Sequence, residues 1–434
     1  MSAVSGFEQW LAPAEAAASG LQWLATRRGE ARARVQGQGV PGTKQEAWRY
    51  TSLTRLLEQG FSAVAESVPL QPEAIEHLLI PGLEAWRVVL VNGRFAPELS
   101  ALAGLPAGVR IGSLAEILRT DPDAVKDRLN TIAGPDQPLF SALNTAGLDD
   151  GLVVLMDAGT ALARPVELIH LSVGSETPRV AQPRHLVVLA AGTQAHLIER
   201  YVTLTYALYC TNSVLEVTLG AGAVLEHQRI QLESPDAFHL AALYVRLGAA
   251  SRYRCTNIAV GASWARTDLT VRFSGEHAAC DLQGLYLVGE RQLLDVHLDV
   301  DHCVPRCVSR EYFKGILYGK GRAVFDGCVH VARDAQQTDA AMTNRNLILC
   351  EGAEVDTKPQ LEIEADDVKC SHGTTVGQLD PEQLFYLRSR GIGAALARRM
   401  LCLGFAGEIL DALTPEALRM QVTQEVGRRL EQAT

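Results

Sequence analysis

The chain has 434 residues, enough to bury a substantial core as one elongated domain with attachments or as two to three compact ones, so size alone demands no disulfides. Its 40 Lys and Arg against 50 Asp and Glu leave a formal charge of −10, which argues against a nucleic-acid groove or an anionic membrane surface, both of which call for basic patches. No apolar run approaches the ~20 residues of a membrane span. The opening MSAVSGFEQWLAPAEAAASG lacks the basic start and apolar stretch of a signal peptide, and its Glu8 and Glu15 do not suit a transit peptide, so a cytoplasmic setting with nine mostly reduced cysteines is expected.

Residues 1–150 read as a mostly helical zone with a short β element. Thr43-Lys44-Gln45-Glu46 is a capping box ahead of AWRYTSLTRLL, and Ser113-Leu114-Ala115-Glu116 is another ahead of ILRT. Between them Val88 to Val91, Asn92-Gly93 and Arg94-Phe95 predict a strand entering a tight hairpin, because Asn-Gly accepts positive φ at both central positions.

From 151 to 378 the texture changes to short β-rich runs such as GLVVLMDAG, RHLVVLAAG, VLEVTLGAG, LYVRLGA, LTVRFSG and RNLILCEGA, each ending near Gly. A G-x-x-A step recurs at Gly192/Ala195, Gly220/Ala223 and Gly275/Ala278, with Gly248-Ala249-Ala250 between, so the Gly spacings are 28, 28 and 27. A fixed period points to a solenoid, here a parallel β-helix whose coils stack inward side chains and place small residues at sharp turns. The competing architecture is a β-sandwich with hairpins of similar length.

Residues 379–434 return to helix. Asp380-Pro381-Glu382-Gln383 offers an Asp N-cap with Pro at the first position, and Ser389-Arg390-Gly391 ends that helix. A second helix carries Ile392, Leu396, Met400 and Leu403 on one face, and a third, from Thr414-Pro415, aligns Leu418, Val422, Val426 and Leu430. These faces are expected to pack internally; a helical pack there would cap the solenoid and offer a docking site.

The chain has no phosphate loop (Gly319-Lys320-Gly321 lacks the frame), no G-x-S-x-G elbow, no H-E-x-x-H and no G-x-G-x-x-G after a strand, so any ATP-driven work needs another chain. What remains is soft ligands. Cys370 and His372, two apart in an extended segment, share one face about 6–7 Å apart at Cβ, too wide for an easy single-metal chelate but suited to a polynuclear cluster, or to one ligand plus one helper. DVHLDVDHCVPRC holds His297, Asp299, Asp301, His302, Cys303 and Cys307 without the second pair a closed zinc site needs, and its alternation reads as the polar face of a strand. Cys328-Val329-His330 repeats the C-x-H spacing.

The run Cys370-Ser371-His372-Gly373-Thr374-Thr375-Val376-Gly377-Gln378-Leu379, continuing through Glu382 to Ile392, closely resembles the C-terminal signature of the SufB/SufD family of the SUF iron–sulfur cluster assembly system. Lys44 to Thr51 and Val91-Asn92-Gly93-Arg94-Phe95 resemble the SufD branch and not the SufB branch, and the resemblance spans essentially the whole chain. It implies a right-handed parallel β-helix core between an N-terminal helical region and a C-terminal helical domain. It further implies a non-enzymatic scaffold subunit that pairs with SufB through the β-helix and docks the ABC-type ATPase SufC on its C-terminal helices. A nascent iron–sulfur cluster would form at the SufB interface, with His372 as the matching ligand and Cys370 the less certain one. The family also raises a reduced flavin on the assembled complex, on which these residues are silent. Two other readings remain: a bridging subunit that touches no iron, and a β-helix polysaccharide lyase or hydrolase.

Overall fold

The computed structural model describes residues 7–11, 20–64, 68–134 and 136–433; Glu15 and the chain's first six residues lie outside them. From Arg184 to Gly377 successive strands alternate between two sheets. One sheet stacks Arg184–Leu189, Tyr209–Leu219, Phe238–Leu247, Trp264–Phe273, Leu293–His302, Arg322–Val331 and Glu354–Ile363. The other stacks Gln194–Thr203, Val224–Leu232, Arg252–Ala259, Ala279–Val288, Val308–Leu317, Asp339–Ile348 and Lys369–Gly377. All these neighbours pair in parallel, and from Gln194 onward a coil runs from 26 residues (Phe238 on Trp264) to 32 (Arg322 on Glu354). The fold is mainly β, a parallel β-solenoid with helices at both ends of the chain, and not a sandwich. Its core is the apolar lumen between the sheets, filled by residues such as Val217, Leu243, Val271, Leu282, Val300 and Phe325.

Three of the four recurring glycines, Gly220, Gly248 and Gly275, mark one corner where coils touch backbone to backbone, whereas a Cβ on Gly192 would meet nothing nearer than 4.0 Å. A Cβ on Gly220 would lie 2.7 Å from the Ala191 nitrogen, and one on Gly275 2.1 Å from the Ala249 nitrogen. The Gly220, Gly248 and Gly275 spacings of 28 and 27 match coil lengths, whereas the coil spanning Gly192 to Gly220 is 30 residues long, so that step of the sequence period is coincidental. Gly275→Ala is expected to destabilise the fold by about 1–3 kcal/mol through overpacking. Its denaturant midpoint should fall relative to Gly373→Ala, whose added Cβ meets nothing.

In the N-terminal part, Ser113 caps the helix Leu114–Thr120 by accepting from the Glu116 amide at 3.1 Å. The Asn-Gly hairpin is present, with φ of 49° at Asn92 and 85° at Gly93. Its first strand, Trp86–Val91, also pairs in parallel with Val166–Ser172, so it extends the second sheet. The Thr43 box does not start the expected helix. A 3-10 turn, Glu46–Trp48, follows instead, with a single helical turn at Thr54–Leu57, because Glu46 to Thr51 is drawn onto the outer face of the first sheet. Arg266 donates to the Ala47 carbonyl at 2.7 Å with its guanidinium 3.9 Å from the Trp48 ring; the Thr51 hydroxyl donates to Asp295 at 2.6 Å; Lys358 donates to Glu46 at 2.6 Å. This strap is fastened to three strands of that sheet, Trp264–Phe273, Leu293–His302 and Glu354–Ile363.

After the solenoid, Asp380 caps the helix Pro381–Ser389 by accepting from the Glu382 amide at 2.8 Å, and Gly391 follows at φ 85°. The helix Ala394–Leu410 packs Ala397, Cys402, Ala406, Ile409 and Leu410 inward, so the expected internal face through Leu396 and Met400 is wrong: both are 44% exposed. In Glu416–Ala433 the expected stripe Leu418, Val422, Val426 and Leu430 is fully buried.

Candidate functional site

Among the described residues the solenoid ends without a capping strand at Glu354–Ile363 and Lys369–Gly377, each paired only with the strand before it in its sheet. Strand alternation decides what that end presents. Cys370 stacks on Ala340 and His372 on Met342; both partners are lumen residues 1% exposed, so Cys370 and His372 point inward from the last coil. Cys370 is half-buried against the core and His372 is exposed. Burial pushes the Cys370 thiol up and the Asp339 and Glu311 charges add to this, against a backbone contact at Ala340, so the sulfur is held as a thiol.

Beneath these two residues the lumen is chemically uneven. Below His372 the register descends through Met342, Glu311, Leu282, Cys255 and His227; below Cys370 it descends through Ala340, Ser309, Cys280 and Tyr253. Glu311 is 1% exposed, and burial pushes its carboxyl up to about 8.

The other sequence candidates do not converge. His297, Asp299 and Asp301 face outward, whereas His302 faces the lumen with its Nε2 3.0 Å from the Ser309 hydroxyl, so the expected polar strand face is what this segment forms. Cys307 is buried at the Gly275 carbonyl, 3.5 Å away. Cys328 and His330 are also outward; Cys328 lines, with Asp299 and Asp326, a cleft of about 390 Å³ beneath the strap. None of the nine cysteines is in a disulfide.

A buried charged cluster escaped the sequence reading. Glu199 receives Arg229 at 2.8 Å, the Tyr201 hydroxyl at 2.5 Å and His227 at 3.1 Å, with His170 at 3.3 Å but not aligned as a hydrogen bond. Burial alone would raise the Glu199 carboxyl; Arg229, His170 and His227 together hold it well below the usual range. Aligning the chain coil by coil reveals the pair, since Glu199 and Arg229 stack directly. His170, His185 and Glu199 bring one ligand atom each within 4.8 Å of one another. They are poorly set for a metal: His185 Nδ1 accepts the Leu152 amide at 2.9 Å, which leaves the proton on Nε2, and Glu199 is already neutralised by Arg229.

Among the described residues no helix is long and apolar enough to cross a membrane. The SufBD protein N-terminal region matches residues 13–168, and the SUF system FeS cluster assembly SufBD core domain matches residues 171–405. The chain is 35% identical over 398 residues to an iron–sulfur cluster assembly SufBD family protein of Synechocystis sp., covering 90% of this chain and 87% of that one. It is 35% identical over 396 residues to the iron–sulfur cluster assembly protein SufD of Escherichia coli, 90% of each chain. A chloroplastic protein of Arabidopsis thaliana is 31% identical over 397 residues, 89% of this chain and 82% of that one.

Proposed function

The chain belongs to the SufBD family of iron–sulfur cluster assembly proteins, and from that premise we propose that it is the SufD-like subunit of a SufB–SufC–SufD scaffold. Three parts divide the work: an N-terminal region (1–150), a solenoid (151–378) that pairs with SufB, and a C-terminal helical domain (379–434) that docks SufC. ATP is hydrolysed by SufC, and a nascent cluster, the cargo of the scaffold, is held at the SufB seam with His372 as this chain's ligand and Cys370 beside it.

One observation carries this reading: a soft-ligand pair points into the uncapped last coil, on the same strand whose outer edge is unpaired. Such an edge is a template for strand addition by a second solenoid, and it supports self-association of the isolated chain through the same surface. Docking of SufC is supported by the apolar side chains that the C-terminal helices leave in solvent, Phe385 at 74% and Tyr386 at 57% exposed, with Leu396 and Met400 nearby in sequence. Mixed Cys and imidazole ligation suits a cluster that must be released.

Co-expression with SufB and SufC, anaerobic purification and counting of iron and acid-labile sulfide test the assignment. His372→Ala is expected to lose most of the cluster at an unchanged subunit ratio. Unchanged iron and sulfide would reduce the chain to a bridge that touches no metal.

A further inference from the structure

The cleft of about 390 Å³ beneath the strap has no part in the reading above. Its floor is the outer face of the first sheet, where two rows of side chains run across the strands. Stacking places Tyr244, Thr270, Asp299, Cys328 and Gln360 in one row, and Ala242, Asp268, His297, Asp326 and Lys358 in the other. The second row is neutralised from within: Arg266 holds Asp268 at 2.7 Å, Lys358 lies 3.6 Å from Asp326, and His297 lies 2.9 Å from Asp295. Asp299 differs. Its side chain is open to the cleft, and among the described residues no hydrogen bond or ion pair reaches it; His330, which acts on it from the next strand, lies 3.5 Å from Asp301. Burial by the cleft wall, and then the Asp301 charge, push its carboxyl up to about 6, with His330 opposing and Glu362 adding to the rise. A carboxylate raised in this way has surroundings that supply no sufficient counter-ion.

The end of the cleft away from the open coil is aromatic. Phe140 and Tyr244 line it with Trp48 of the strap, whose ring centroid is 5.7 Å from that of Phe140 and which already stacks on Arg266. The Tyr244 hydroxyl is hydrogen-bonded with Ser141 at 2.8 Å, so its polar tip is satisfied and its ring serves as wall. Tyr244 is two strands from Asp299, which at about 4.8 Å per strand sets their Cα atoms roughly 10 Å apart, a span that one small ring with a charged head bridges. An anion finds no free cation here, because Arg266 and Lys358 are both engaged by carboxylates. A bare metal ion needs several ligand atoms together, and among the described residues this cleft brings no three of them within reach of one another.

We propose that this cleft binds a small organic cation, an amine or amidine on a flat or apolar body, with its charged head on Asp299 and its body against Phe140 and Tyr244. Charge-assisted hydrogen bonds to the carboxylate fix the head, and the aromatic end takes the body out of water. Thr270, next to Asp299 in the row, offers a hydroxyl oxygen to a further N–H of the ligand. The site uses neither Cys370 nor His372, so it stands apart from the cluster assignment.

Ligand-observed NMR titration of the full chain with benzamidine, and with the neutral benzamide of the same shape, tests this. Wild type is expected to bind benzamidine with a dissociation constant of about 1 mM, roughly tenfold more tightly than benzamide. Asp299→Asn is expected to bring benzamidine to the benzamide level. Cys328→Lys, which sets a cation in direct register with Asp299 on the next strand, is expected to do the same; both positions face outward and leave the lumen untouched. Glu362→Gln, which removes a nearby charge that does not line the cleft, is expected to change the affinity less than about threefold. Equal binding of the two probes by wild type, or unchanged benzamidine affinity in Asp299→Asn, overturns the proposal. A loss in Glu362→Gln as large as in Asp299→Asn also overturns it, because attraction to an acidic surface would then suffice.

Discussion

Glu199→Ala is expected to lower the stability of the solenoid by about 3–5 kcal/mol, a large share of what a folded domain has to lose. The carboxylate is 1% exposed and sits under Arg229, itself 3% exposed, with His227 fully buried beside it. Although burial opposes it, contacts with Cys255 and Glu199 push His227 up to about 9. Removing the carboxylate deprives both the Arg229 guanidinium and the protonated His227 of the partner they share. Changing Glu199 and Arg229 together to Met should recover much of the loss, because it removes the guanidinium stranded by the single change, and His227, no longer held up by the carboxylate, can shed its proton. Denaturant midpoints of the two singles and the double measure this; additive losses would show that the pair does not act as a unit.

Glu311→Gln is expected to act in the opposite direction, and only at higher pH. With its carboxyl pushed up to about 8 from the ordinary 4.5, the folded chain keeps a proton that the unfolded chain sheds. Stability is therefore full below about pH 4.5, falls as pH rises toward 8 and is flat above, a total on the order of 5 kcal/mol. Glutamine carries no such liability. With a chelator present to remove divalent ions, melting temperatures of wild type and variant should nearly coincide at pH 5, and the variant should melt several degrees higher at pH 8. A gap that does not change with pH would mean the carboxyl is ionised or partnered in the folded chain.

The solenoid was legible because its constraint is local and repeated: a glycine wherever a coil meets the backbone of the one before, at Gly220, Gly248 and Gly275. The inward pairing of Cys370 and His372 follows from the same two-residue period that placed them on one face. Periodicity was silent on what covers a face. Leu418 to Leu430 and Leu396 with Met400 show the same i, i+4 spacing, yet the first stripe is buried and the second is not. Thr43 to Glu46 carries the letters of a helix start, but the contacts of Trp48 and Thr51 with Arg266 and Asp295, more than 200 residues away, outweigh that local preference. The Glu199 cluster stayed hidden because alternating polar residues in a strand read as solvent-facing when that strand is taken alone. Only stacking the coils reveals that the charges meet each other inside.

The strap from Glu46 to Thr51 bears on how the open end survives. In a stack where each coil touches only its neighbours, stability is a chain of nearest-neighbour terms, and the last coil frays first. The strap breaks that rule by joining Arg266, Asp295 and Lys358, residues of strands that do not all adjoin. It works like a splint along the spine of the stack: Lys358, on the terminal strand, can peel away only by releasing a segment that is also fastened two and three coils below. The terminal coil is thereby tied to the body of the solenoid as well as to the coil beneath it.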